Sequence, residues 1–119
     1  MSDRIDLAEK LATFSEHWSP RTVAQFNDCD VMVVKVQGEF VWHTHPETDE
    51  LFLVVSGRLT IQLRDGDVEL GPNDIYVVPA GVEHCPRSDD GAEILLIEPR
   101  GTANTGDAGG ELTAAEREL

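Results

Sequence analysis

The chain has 119 residues, 40% of them hydrophobic, and 23 acidic side chains against 9 basic ones give a net charge of −14. This length closes one hydrophobic core and leaves little for a second, and the charge offers nucleic acid or an anionic membrane no electrostatic reason to approach. No apolar run nears the ~20 residues that span a bilayer, and the polar N-terminus lacks the apolar core of a secretory signal, so the expected compartment is the cytoplasm. Cys29 and Cys85, in an unexported chain, are expected to remain free thiols.

The first expected element is a helix over residues 3–16, with Ile5, Ala8, Leu11 and Ala12 on one stripe and Asp3 at the N-cap. Ser19-Pro20 ends it. From there to Pro99 short β-branched runs alternate with turn signals, which is how a β-sandwich or jelly roll reads. The expected strands are 22–28, 31–37, 40–45, 50–55, 58–64, 67–70, 74–78, 82–87 and 92–98. Asp65-Gly66 is the strongest hairpin turn, with further breaks at Gly71-Pro72-Asn73-Asp74 and Ser88-Asp89-Asp90-Gly91. Residues 101–110, rich in Gly, Thr and Asn, are expected to be an ordered edge at best. A short helix through Leu112, Ala115 and Leu119 is expected over 111–119. The expected division is a helical segment over 1–20, a barrel over 21–100 and a polar tail over 101–119.

Chemistry concentrates in two segments. In Gly38-Glu39-Phe40-Val41-Trp42-His43-Thr44-His45-Pro46-Glu47-Thr48-Asp49-Glu50 two imidazoles lie one residue apart, on the same side of an extended strand, and a carboxylate follows. Pro79-Ala80-Gly81-Val82-Glu83-His84 supplies a third imidazole. Three neutral nitrogens and one hard oxygen suit a divalent first-row ion (Fe, Mn, Ni, Zn or Cu) that keeps coordination positions free. A lone histidine such as His17 is more simply a surface or hydrogen-bonded residue; it is the joint spacing that favours metal for His43, His45 and His84.

These segments resemble the paired motifs of the cupin superfamily: a glycine, a His-x-His pair, a glutamate and a glycine, then Pro-x-Gly-x-x-His. His43, His45, Glu50, Gly57, Pro79, Gly81 and His84 match, over a resemblance covering roughly residues 22–99. Asn73 stands where a glycine is expected and Ser88 where an asparagine is, and the Gly38–His43 spacing is one residue short. Asn tolerates the left-handed conformation that a glycine would take there. The resemblance implies an all-β double-stranded β-helix, a jelly-roll cupin barrel with a short N-terminal helix, and a metal held by His43, His45, Glu50 and His84. Glu47 and Asp49 lie within reach of the same site. Glu50 is preferred because it matches the motif and begins an apolar strand, where an unpaired carboxylate is costly.

Leu59, Ile61 and Leu63 should face inward and Thr60, Gln62 and Arg64 water. Leu51-Phe52-Leu53-Val54-Val55 is apolar on both faces, so Leu51, Leu53 and Val55 need a cover: the N-terminal helix or a second copy of the chain. Small cupins of this kind are typically dimers, and a two-fold homodimer is expected.

The expected function is metal-assisted chemistry on a small molecule. Open positions on Fe(II) suit a ring-cleaving or thiol dioxygenase, whereas another divalent ion acting as a Lewis acid suits an isomerase or lyase. Glu47 and Tyr76 are the side chains available as acid or base, and Tyr76 and Trp42 serve equally well as packing. A phosphosugar substrate is unsupported, because Lys35 and Arg64 point outward by parity and Arg58 lies beside a turn. The alternative is a non-catalytic metal-dependent module that binds or senses a small ligand.

Overall fold

The computed structural model describes residues 3–110 and 112–114. Its elements are α1 (Leu7–Leu11) and strands β1 (Arg21–Phe26), β2 (Cys29–Glu39), β3 (Glu50–Gly57), β4 (Leu59–Leu63), β5 (Gly66–Leu70), β6 (Ile75–Val78) and β7 (His84–Pro99). All pairings between these strands are antiparallel: one sheet runs β1-β2-β7-β3-β6, and β5-β4 pairs with the first residues of β7. The result is the expected all-β jelly roll. Its interior is one cluster that includes Val34, Val36, Phe52, Val54, Leu59, Ile61, Val78, Ile94 and Leu96. Alternation along β4 does what period two requires, burying Leu59 and Ile61 and leaving Arg64, just beyond the strand, exposed. Among the described residues no helix is long and apolar enough to cross a membrane.

Several expected elements are redrawn. The helix is five residues long, not fourteen. Asp6, rather than Asp3, caps it by accepting the Glu9 N–H at 3.2 Å. At the other end the Thr13 hydroxyl donates to Lys10 O at 2.6 Å, so a local side-chain bond competes with continuation. Leu11 and Phe14 bury against Val33, with Leu7, Val23 and Val55 at the rim. The N-terminal segment therefore covers Val55.

Residues 40–45 make no strand. They run as an extended loop tied to β7 by a two-way bridge, His43 N–H to His84 O at 2.9 Å and His84 N–H to His43 O at 3.0 Å. The expected strands 82–87 and 92–98 are one strand. Ser88-Asp89-Asp90-Gly91 reads locally as a turn, but β2 pairs on both sides of it, Gly38 with Ser88 and Val36 with Ala92, and the extra residues form a bulge with Gly91 at φ +93°. At this bulge β7 exchanges β4 for β3 as its second neighbour.

Asn73 adopts φ +72°, the left-handed conformation expected of it in place of glycine. The hairpin loop is Arg64-Asp65, one residue before the expected position. Residues 102–108 are not an edge: Thr105 is fully buried, and Asp107 bonds to Thr44. Of the helix expected over 111–119, residues 111 and 115–119 lie outside the described residues. Leu112–Ala114 are not helical and bond back to Asn104.

Candidate metal centre

The four residues singled out from the sequence meet in one place. His43 and His45 come from the extended loop, Glu50 opens β3 and His84 opens β7. One ligand atom from each lies within 4.8 Å of all the others, and every one of these side chains is buried. The His43–His84 bridge fixes the distance between the two motifs. Asp49 adds a second tie by accepting the Ala80 N–H at 2.9 Å, which occupies it outside the cluster.

Hydrogen bonding orients the rings for ligation. His43 Nδ1 lies 2.8 Å from Val41 O and His84 Nδ1 lies 2.9 Å from Val82 O, so in each neutral ring the Nδ1 proton is committed to a carbonyl and Nε2 carries the lone pair. His84 Nε2 then stands 3.2 Å from Glu50 Oε1. With a neutral ring that contact sets two acceptors against each other, and either an extra proton or a shared cation relieves it. His45 Nε2 lies 3.5 Å from the same oxygen, is buried and has no hydrogen-bond partner. An orphaned buried nitrogen aimed at a carboxylate and two other imidazoles is what a metal ligand looks like without its ion. The residues fit a divalent metal.

Electrostatics agree with this donor set. Burial lowers the His43 pKa to about 4, with the neighbouring His84 in the same sense, against the Val41 carbonyl, so the imidazole stays neutral near pH 7. For Glu50 burial works toward protonation, but the facing His45, His84 and Glu98 side chains outweigh it and hold the carboxyl below the usual range. Glu98 is the counterpart: burial and the Glu50 charge push it up to about 10, so near pH 7 it keeps its proton against the Glu50 carboxylate. Glu98 is 2% exposed, and its Oε2 has no partner.

Glu98 was not anticipated. Its signal was parity, since it continues the inward series Ala92, Ile94, Leu96 on β7. Against the cluster lies a cavity of about 30 Å³, room for a water or two, lined by His43 and Glu50 and by Trp18, Phe40, Phe52, Ile94, Leu96 and Asn104 among others, with no Lys or Arg among its described lining residues. Trp18 and Phe40 stack at 4.6 Å, and these two are the aromatic wall that the sequence did not single out. Trp42 is elsewhere, under the Arg64 guanidinium at 3.7 Å. Glu47 is exposed and lines a separate groove of about 240 Å³ with His45, Pro46, Thr48, Thr102, Ala103 and Gly106. Tyr76 is half-buried on β6, paired with Phe52 and packed on the core; it does not line the inner cavity.

A β-jelly roll with three histidines and a glutamate converging inside it defines a class of protein, and residues 30–98 match the cupin domain family: the chain is a cupin. It is similar to YdbB of Bacillus subtilis (strain 168), 37% identical over 84 residues that cover 70% of this chain and 68% of that protein. It is also similar to the 3-hydroxyanthranilate 3,4-dioxygenase of Brucella anthropi, 33% identical over 62% of this chain but only 46% of the dioxygenase. The chain thus spans about half the length of that enzyme. Among solved structures, a cupin-2 domain containing protein from Shewanella frigidimarina superposes with a TM-score of 0.80 at 47% identity, over 81% of this chain and 94% of that one.

Proposed function

We propose that this cupin is a metal-dependent enzyme of the dioxygenase type, with His43, His45, Glu50 and His84 holding one divalent ion. The observation that carries the reading is the buried, unpartnered Nε2 of His45 within an otherwise hydrogen-bonded cluster. Such an ion, when bound, supplies a centre with free coordination positions that can activate oxygen or polarise an oxygen-bearing group. The chain's own residues then select what reaches it. Trp18, Phe40, Phe52, Ile94 and Leu96 favour a flat, apolar body, and a lining without Lys or Arg among the described residues argues against a phosphorylated substrate. The dioxygenase likeness supports an aromatic ring carrying adjacent hydroxyl or amino groups.

Glu47, in the groove beside His45, is the better situated of the two proposed acid–base groups; Tyr76 is the other. The protein is further proposed to be a homodimer. Ile75 and Val77 are 57% and 42% exposed, and across the ladder they join half-buried Leu53 and Leu51 in an outer apolar face.

Oxygen uptake by the Fe(II)-loaded protein, tested against a panel of ortho-aminophenols and catechols, checks the reaction class. Uptake that disappears in His45→Ala supports it. A metal-loaded protein that consumes no oxygen on any of them but isomerises or cleaves a carbonyl substrate would move the assignment to the isomerase or lyase type. The 30 Å³ cavity favours one further reading, a non-catalytic metal-binding module, which predicts bound metal and no turnover.

A further inference from the structure

We infer that the turn Asn104–Asp107 is a displaceable strap that closes the metal centre, and that it swings away to admit anything larger than water. The inference rests on the metal reading above. The strap lies between two spaces: Asn104 lines the 30 Å³ inner cavity, whereas Thr102, Ala103 and Gly106 line the 240 Å³ outer groove beside His45 and Glu47. Moving it would join the two.

The closed position is built, not incidental. Gly106, at φ +53°, sits so close to the ligand loop that a Cβ there would overlap Thr44 O and come within 3.0 Å of His43 Cδ2. Only glycine allows that approach. Thr44, between the two ligand histidines, is clasped by Asp107 in both directions: its N–H donates to Asp107 Oδ1 at 2.8 Å and its carbonyl accepts the Asp107 N–H at 3.1 Å. Asn104 holds the far end, donating to Trp18 O at 3.4 Å and Leu112 O at 2.8 Å and accepting the Ala114 N–H at 2.9 Å.

Polar bonds hold this segment down, the buried Thr105 among them through its hydroxyl contact with Thr113 at 2.6 Å, and no large apolar side chain lies between Gly101 and Gly110. Hydrogen bonds that water can replace contribute little net free energy each, whereas the barrel beneath is held by apolar burial. The strap can therefore open while the barrel stays folded.

Two measurements on the full chain test this. In metal-free protein the amides of Gly106, Asp107 and Ala108 should exchange with deuterium on the order of a hundredfold faster than those of His43 and His84, because strap opening is local and the histidine bridge is lost only with the barrel. Equal protection of the two sets would overturn the strap. In zinc-loaded protein, Asp107→Ala, which loses the side-chain bond to Thr44, and Gly106→Ala, whose Cβ is pushed off Thr44, should release metal to the chelator 4-(2-pyridylazo)resorcinol about tenfold faster than wild type, the effect of losing one or two hydrogen bonds' worth of closure. Asp107→Asn, which keeps an acceptor for Thr44, should restore the slow rate. Release rates identical in all four proteins would also overturn it. A chain that takes up no zinc would defeat the metal reading instead, and the exchange measurement would still decide the strap.

Discussion

At the scale of single residues, the His43 and His84 rings are fixed by the carbonyls their Nδ1 atoms touch, and the two buried carboxyls divide one proton between them. Glu98 keeps the proton and Glu50 the charge. This gives the metal-free protein a characteristic pH dependence. The raised Glu98 contributes stability below its unfolded value of 4.5, and the contribution is lost as pH rises toward about 10. The lowered His43 contributes stability above its unfolded value of 6.5, and that is lost as pH falls toward about 4. The two slopes oppose each other between 4.5 and 6.5, so the loss emerges above 6.5. The urea midpoint of metal-free protein should fall steadily from about pH 6.5 to 8.5, with a slope near one proton. Glu98→Gln, which keeps a donor to Glu50 and cannot ionise, should flatten that decline. An unchanged slope in the variant would mean that Glu98 is already ionised. The four cluster residues were legible in the sequence because their spacing is local; Glu98 was not, because its partner is 48 positions away and only the ladder joins them.

At the scale of elements, the two motifs are brought together by backbone closeness as much as by strands. Gly57 shows how tight this is: at φ +81°, a Cβ there would overlap Gly91 O and lie 2.8 Å from Ala92 Cα, at the bulge where β7 changes partner. Gly57→Ala should therefore cost about 1–3 kcal/mol in urea unfolding, since both conformation and space are wrong for a side chain. A loss within 0.5 kcal/mol, the ordinary surface range, would mean that the bulge adjusts freely. Strands β3, β4 and β5 were legible from alternation and turn residues. The merging of 82–98 into one strand was not, because Asp89-Asp90-Gly91 satisfies local turn chemistry and only its pairing with β2 overrides it. The helix was overdrawn for a similar reason: Ala8 and Ala12 continue a helical stripe, but the buried side chains are Leu11 and Phe14, with Leu7 half-buried beside them, and the segment stops once these reach Val33.

At the scale of the whole molecule, the outer sheet face and the strap mark where the chain meets what lies outside it. Ile75 is 57% exposed beside Leu53, so Ile75→Glu should convert the proposed dimer to a monomer in sedimentation with little change in melting, since the side chain is outside the core. A dimer that survives the charge would place the interface elsewhere. The N-terminal segment, one of the two covers expected for Leu51, Leu53 and Val55, reaches Val55, whereas the folding of the tail onto Thr44 was not expected. Its Gly- and Thr-rich composition carries no periodicity, and its contacts, Asp107 with Thr44 and Asn104 with Trp18, are long-range polar bonds. The central claim is that this cupin carries one metal ion per chain on His43, His45, Glu50 and His84. It is tested most directly by elemental mass spectrometry of protein purified without a histidine tag, beside the His43→Ala/His84→Ala double variant. The account predicts about one equivalent of a first-row divalent metal in the wild type and essentially none in the variant. Wild-type protein that holds no metal after reconstitution, or a variant that holds as much as the wild type, would contradict it.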